Sequence, residues 1–283
     1  MKTGFFYLLA AAAFSAGLTG CSFDEVSPTP EAQIHISAQI ESLSKAPSLN
    51  DSGSGIFTSG DVFTLLAAGS KSQSAPMEYR VGNSTLYWKD IPVSESEGTV
   101  GFYACYPKQS LNAGNGFTFD VSQADEPDLL LAKTENVTVG TNDVVSLKFG
   151  HVMHRLVVNF TTEPSYISAG QLVLGCTAKS ACTVDLVKGT VASTSKTAKF
   201  TASGATATFL LVPQNASDVT LEVQAGNDVK EVALNELVSS VDQLESGKQL
   251  TLDLTVKDGA IQLDNVTISG WGNQGTIDGE IIM

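Results

Sequence analysis

From residue 33 onward the apolar and polar positions alternate with a period of two. In Gln33–Ile40, Ile34, Ile36, Ala38 and Ile40 fall on one face, and Gln33, His35, Ser37 and Gln39 fall on the other, as a half-buried strand requires. The runs GDVFTLLA, STLYWKDI, TVGFYACYP and DVVSLKF carry β-branched and aromatic residues between Gly, Pro, Ser and Asp, and predict further strands. HRLVVNFT, GQLVLGC, TATFLLVP and VTLEVQA do the same in the second half. The clearest alternation comes late, at Leu250, Leu252, Leu254 and Val256, and resumes at Ile261 and Leu263 after Asp258-Gly259. Asp-Gly between two alternating runs predicts a tight hairpin, because both central positions of a type I′ turn need positive φ. One stretch departs from the period: Leu234, Leu237, Val238, Val241 and Leu244 have helical spacing and predict a single short helix. Many short strands with turn signals every 8 to 12 residues or so indicate an all-β chain of two tandem antiparallel β-sandwich domains. The boundary is expected near Gly150, giving an N-terminal domain over 32–150 and a C-terminal domain over 151–283.

The first residues change the picture from a plain β protein to an exported one. Lys2, an apolar run from Phe5 to Leu18 and small residues before a cysteine read as an export signal over 1–20. The run is shorter than the roughly 20 residues a membrane-spanning helix needs. It ends in Leu18-Thr19-Gly20-Cys21, which resembles a bacterial lipobox. That resemblance implies a diacylated Cys21 at the start of the mature chain; the other reading is an ordinary secretory signal with a chance cysteine. Ser22-Phe23-Asp24-Glu25 resembles the acidic tag that carries Bacteroidetes lipoproteins to the outer cell surface, and residues 21–31 read as a tether.

Loss of residues 1–20 leaves 15 basic against 30 acidic residues, a charge of −15. Phosphate recognition needs a basic patch that this balance does not readily supply, so nucleic acid is excluded as a partner. Three cysteines remain after Cys21. Cys176 and Cys182 are close enough in sequence for a disulfide, but a loop that short stabilises by only about 2 kcal/mol, and buried free thiols are the preferred reading. No C-x-x-C pair supports a zinc site.

Candidate chemistry is sparse. Gly270–Gly275, GWGNQG, matches the dinucleotide spacing G-x-G-x-x-G, yet only eight residues follow it and cannot supply the helix and second strand of a βαβ unit. The glycines are read instead as allowing a turn beside Trp271. His151 and His154 lie three apart in β-like sequence, where they would point to opposite faces, and are read as structural or surface residues. His35 is expected to be solvated. No G-x-S-x-G elbow and no calcium-loop spacing occurs, and Asp24-Glu25 and Asp125-Glu126 sit in polar, turn-like segments. The sequence calls for no cofactor or metal and for no enzymatic activity.

Several stretches in order resemble the fimbrillin family, the Bacteroidetes surface proteins that include subunits of protease-processed, donor-strand pili. They are AQIHISAQIESLSKAPS, FTSGDVFTLLA, VGFYACYP, DLLLAK, VSLKFGHVMHRLVVNF, FLLVPQ, LESGKQLTLDLTV and VTISGW. The resemblance implies two transthyretin-like β-sandwich domains, a lipid anchor in the outer membrane at the cell surface, and partnership with other pilus subunits by β-strand addition. It also implies a cut after Lys45, before Ala46, that liberates Ile34–Ile40. The C-terminal TIDGEIIM, with Ile277, Ile281 and Ile282, becomes the candidate donor strand; the alternative is a closing strand of its own domain. The chain departs from the best-known members in having no arginine before Arg80, so Lys45 is either cut by a different protease or left intact, in an anchor or a solitary adhesin. Two further functions stand beside the pilus subunit. A glycan-binding surface lipoprotein would use Tyr87, Trp88 and Trp271 as aromatic platforms, and a surface hydrolase would need a catalytic constellation in a pocket.

Overall fold

The computed structural model describes residues 32–40, 57–93, 98–163, 167–257, 260–270 and 276–277. The first half contains β1 (Gln33–Ile40), β2 (Val62–Ala68), β3 (Met77–Arg80), β4 (Leu86–Tyr87), β5 (Thr99–Tyr106), β6 (Gly116–Asp120), β7 (Leu130–Thr138) and β8 (Val144–His151). The second half contains β9 (His154–Thr162), β10 (Leu172–Lys179), β11 (Ala181–Asp185), β12 (Thr190–Ser193), β13 (Thr197–Ser203) and β14 (Thr206–Leu211). After these come β15 (Gln214–Asn215), β16 (Thr220–Ala225), β17 (Asp228–Ala233), a single helical turn α1 (Leu234–Leu237), β18 (Gln243–Leu244), β19 (Lys248–Lys257), β20 (Ala260–Gly270) and β21 (Thr276–Ile277). The protein is almost entirely β, as the alternation predicts.

Seven strands form one sheet in the order β3-β2-β5-β7-β8-β1-β4. Phe63 on β2 and Phe149 on β8 have ring centroids 5.2 Å apart. Those strands are three positions apart, about 14 Å in a flat sheet, so the sheet curls over its own apolar face. Inside the curl lie Phe63, Leu65, Phe102, Ala104, Leu130, Val145, Leu147 and Phe149, closed by Trp88 and Ile91.

Past His151 the chain leaves this sheet and enters a five-stranded one, β14-β9-β19-β20-β21, that faces a four-stranded one, β13-β10-β16-β17. Leu156, Val158, Leu250, Leu252 and Leu254 from the first meet Leu172, Leu174, Leu221 and Val223 from the second, so the pair is a β-sandwich. A third apolar cluster joins Leu66, Tyr103 and Cys105 to Phe117, Phe119, Cys182 and Val184. It lies under the small sheet β12-β11-β6, which pairs Gly116–Asp120 with Ala181–Asp185. Residues on both sides of residue 150 therefore share one core as well as each having its own.

One local reading takes a different form in the structure, and the reading of the cysteines as buried free thiols holds. The helical spacing of Leu234 to Leu244 yields only one helical turn, followed by turns and β18, yet all five apolar residues are buried in the sandwich core. Ser239, Ser240 and Asp242 are weak helix formers, and the Asp242 carbonyl accepts a hydrogen bond from Ala216 N–H instead of continuing the helix. Cys176 and Cys182 belong to separate cores, because the chain changes sheets at the buried Ser180 between β10 and β11. Cys105, Cys176 and Cys182 are free and buried, and burial pushes each thiol up to about 12.

Candidate functional site

The element nearest the N-terminus among the described residues is placed inside a sheet. β1 pairs in parallel with β8 from His35↔Val144 to Ile40↔Phe149, and antiparallel with β4 at Gln33↔Tyr87 and Ile34↔Leu86. Ile36, Ala38 and Ile40 stand beside Val145, Leu147 and Phe149, on the face that covers the core. Ile34 is buried, these three are half-buried, and His35 is exposed, as the alternation predicts. Among the described residues only the two-residue β4 lies beyond β1, so withdrawing β1 would uncover the backbone edge of β8 over six residues together with part of the core. Cys21, Lys45 and Ala46 lie outside the described residues.

At the other end, Thr276 and Ile277 form β21 against Thr267 and Val266 of β20, at the edge of the chain's own five-stranded sheet. Trp271 to Gly275, Ile281 and Ile282 lie outside the described residues. Asp258 and Gly259 do too, but the hairpin predicted around them is present as the β19–β20 pairing, which runs from Lys257↔Ala260 to Lys248↔Gly270.

The two histidines occupy different strands, at the end of β8 and the start of β9, and both are buried. The His151 side chain is 4% exposed, and its Nδ1 lies 3.0 Å from the Asp128 carboxylate. His154 is 2% exposed, and its Nδ1 is 3.0 Å from the Glu245 carbonyl. A carbonyl can only accept, so Nδ1 carries the proton and Nε2 of the neutral ring is an acceptor. The turn that holds Glu245 is fastened to the same stretch twice more: Ser246 donates to the Val152 carbonyl and Gly247 N–H to that of Met153. Gly247 has φ 66, and a Cβ there would stand 2.8 Å from the His151 carbonyl, so glycine is required.

Burial pushes His154 down to about 4, against the opposing pull of the Glu245 carbonyl. The unfolded chain, with an ordinary value near 6.5, therefore takes up the proton first. Stability from this site is full above about pH 6.5 and is lost as pH falls toward 4. The expected loss is up to about 3 kcal/mol by urea titration between roughly pH 7.5 and 4.5. His154→Phe is expected to flatten that slope, and an unchanged slope would contradict the assignment. Asp120 acts below this window: burial alone would raise its value, but Lys196 and Ser122 outweigh it and hold the carboxyl at about 2.

The remaining candidates offer little chemistry. Trp88 is buried in a 3-10 turn, its indole N–H donating to the Thr141 carbonyl, and Lys89 sits over the Tyr87 ring at 5.2 Å. Neither Trp88 nor Tyr87 presents a free aromatic platform. Among the described residues no three His, Cys, Asp or Glu side chains are grouped to hold a metal ion.

The model of the fimbrillin-like family matches residues 51–271, well over half of the chain. The chain belongs to the fimbrillin-like family. No curated protein matches it. Among solved structures, a candidate cell adhesion protein from Bacteroides uniformis superposes with a TM-score of 0.66 at 15% identity, covering 86% of this chain and 100% of that one. A second, from Bacteroides ovatus, gives 0.62 at 16% identity over 87% and 99% of the two chains. A third, from Bacteroides thetaiotaomicron, gives 0.53 at 21% identity over 78% and 92%. At these identities the likeness is one of fold.

The stretches that resemble fimbrillins in sequence serve as joints in this fimbrillin-like fold. In FTSGD, Asp61 accepts from Thr58 N–H at 2.7 Å, and Phe57 packs edge-on to Tyr106 and Phe149. In FLLVPQ, the buried Gln214 accepts from Lys179 N–H at 2.8 Å and donates to the Val212 carbonyl at 2.9 Å, tying β15 to the sheet change after β10. The Glu245 turn over His154 is not anticipated from the sequence, because Val241 and Leu244 continue the helical spacing that begins at Leu234.

Proposed function

We propose that the chain is a cell-surface fimbrial or adhesin subunit that is exported as a lipoprotein on Cys21 and polymerises by strand exchange. Family membership supports a surface-displayed structural role and no catalytic one. The observation that carries the assembly reading is the place of β1. It is separable from the rest of the chain by one cut in residues 41–56, and it fills the gap between β8 and β4. A cut after Lys45 removes it, and a strand from a neighbouring subunit restores the lost backbone pairing and apolar cover.

On this reading the donor is Ile277 to Met283. Donation requires the two-residue pairing of β21 to peel from β20, a small loss against the six pairs gained along β8. The chain is divided into two working units, 32–150 receiving the strand and 151–283 delivering it. An uncut subunit stays lipidated and serves as an anchor or a solitary adhesin.

The test is the cell-surface polymer itself. With Ile281→Asp and Ile282→Asp together, heat-sensitive ladders on a denaturing gel are expected to collapse to monomer, while the monomer keeps its thermal midpoint. Undiminished ladders from the double variant would exclude the C-terminal strand as donor.

A further inference from the structure

β1 and β8 lie parallel over six register pairs, from His35↔Val144 to Ile40↔Phe149. Parallel strands have their like ends together, so a force on the N-terminal end of β1 and a force on the C-terminal end of β8 act at opposite ends of the pair. Such a pull slides one strand along the other and strains all six pairs at once. A pull on the C-terminal end of β1 acts instead at the same end as the pull on β8, and opens the pairs one at a time from Ile40. The contacts broken are identical in the two cases, and only their order differs.

The rest of the chain delivers force to those ends. β8 ends at His151, and Val152 and Met153 carry the chain directly into β9. β9 is held on both sides, by six register pairs with β14 and by eight, again parallel, with β19. Side chains reinforce that grip. Asn159 donates to Asp253 at 2.8 Å and accepts from Thr206 at 3.1 Å, Thr161 and Thr255 hydroxyls lie 2.6 Å apart, and Arg155 donates to Gln249 at 3.2 Å. A load on the second half therefore draws β8 by its C-terminal end. On the other side of the joint, β1 is the first strand among the described residues, and Ile34, Ile36, Ala38 and Ile40 lodge it against the core.

We propose that β1 is a one-way lock, which resists tension applied through the N-terminus and gives way pair by pair from its Ile40 end. This rests on the reading of the chain as anchored through Cys21, which puts the membrane-side pull on the N-terminal end of β1. Once the chain is cut in residues 41–56, the pairing of β1 becomes the link between anchor and subunit. Loaded in shear, that link holds. The freed Ile40 end is the place where an incoming strand displaces β1 one pair at a time, so strand exchange proceeds on a joint that tension alone does not open.

The test is single-molecule pulling on the mature chain prepared without lipid. One handle is attached through Glu163→Cys, at an exposed position just past β9 whose ion pair with Lys257, at 3.7 Å, is solvent-exposed and contributes little. The other is attached either through Cys21 or, in a Cys21→Ser chain, through Lys45→Cys. Cys105, Cys176 and Cys182 are buried and do not compete for the handles. Forced unfolding reads the barrier and not the equilibrium stability, so the two directions can differ although the same pairs break. The first rupture is expected to need several-fold more force through Cys21 than through residue 45, with the urea midpoints of the two chains alike. Equal forces, or a higher force through residue 45, would overturn the proposal. Cell-surface protein without lipid at its N-terminus would remove the anchor that β1 serves and leave the force asymmetry in place, so the two failures are distinguishable.

Discussion

Phe149→Ala is expected to lower the free energy of unfolding by about 4 kcal/mol, in the upper part of the range for truncating a buried aromatic. Phe149 is fully buried, and its ring meets Phe57 at 4.8 Å and Phe63 at 5.2 Å in edge-on geometry. Those contacts close the curled sheet, since β8 carries Phe149 and β2 carries Phe63. Truncation leaves a cavity at the seam and removes two aromatic pairs worth about 0.5–1.5 kcal/mol each beyond their buried area. Equilibrium urea unfolding measures the loss directly. A value below about 1 kcal/mol, under the usual range for such truncations, would mean that the seam is closed by other residues.

Removing residues up to Lys45 is expected to have a comparable effect by a different route. Burying Ile34 contributes about 2 kcal/mol, and half-burying Ile36 and Ile40 about 1 kcal/mol each, so roughly 4 kcal/mol of apolar cover leaves with β1. That is a large fraction of the 5–15 kcal/mol or so that holds a typical folded domain together. The shortened chain is expected to melt about 10 °C lower, to bind a hydrophobic dye and to self-associate through the open edge of β8. A synthetic peptide of residues 33–40 added in excess is expected to restore the melting midpoint. An unshifted midpoint in the shortened chain would show that β1 is dispensable cover and would leave no acceptor groove for a neighbour to fill.

Legibility in the sequence follows burial. β1, β2, β5, β8, β9, β10, β14, β16 and β19 each contribute alternating or continuous apolar residues to a core, and their strand signal is correspondingly plain. β13, β17 and the short β3 end their sheets; β13 and β3 do alternate, with Ala198, Phe200 and Ala202 on one face of the first and Met77 and Tyr79 on one face of the second, but these residues are only half-buried, and β17 is mostly polar, so the apolar signal of all three is weak. The run from Leu234 to Leu244 is legible for burial and misleading for geometry, since one turn of helix followed by a short strand can bury the same residues as a longer helix. Cys176 and Cys182 look like neighbours along the chain, and only the sheet change at Ser180 separates them into two cores. His154 shows the limit for sites: its partner Glu245 is 91 positions away, and no local pattern announces that pairing.

Strand exchange turns on what happens between Ile40 and Phe57, and the mass of the N-terminus on protein recovered from the native cell surface reads that event without an intermediary. Exchange predicts an N-terminus at Ala46, without lipid, in material that runs as heat-sensitive ladders on a denaturing gel. A lipidated Cys21 on an intact monomer, with no ladder, would contradict it.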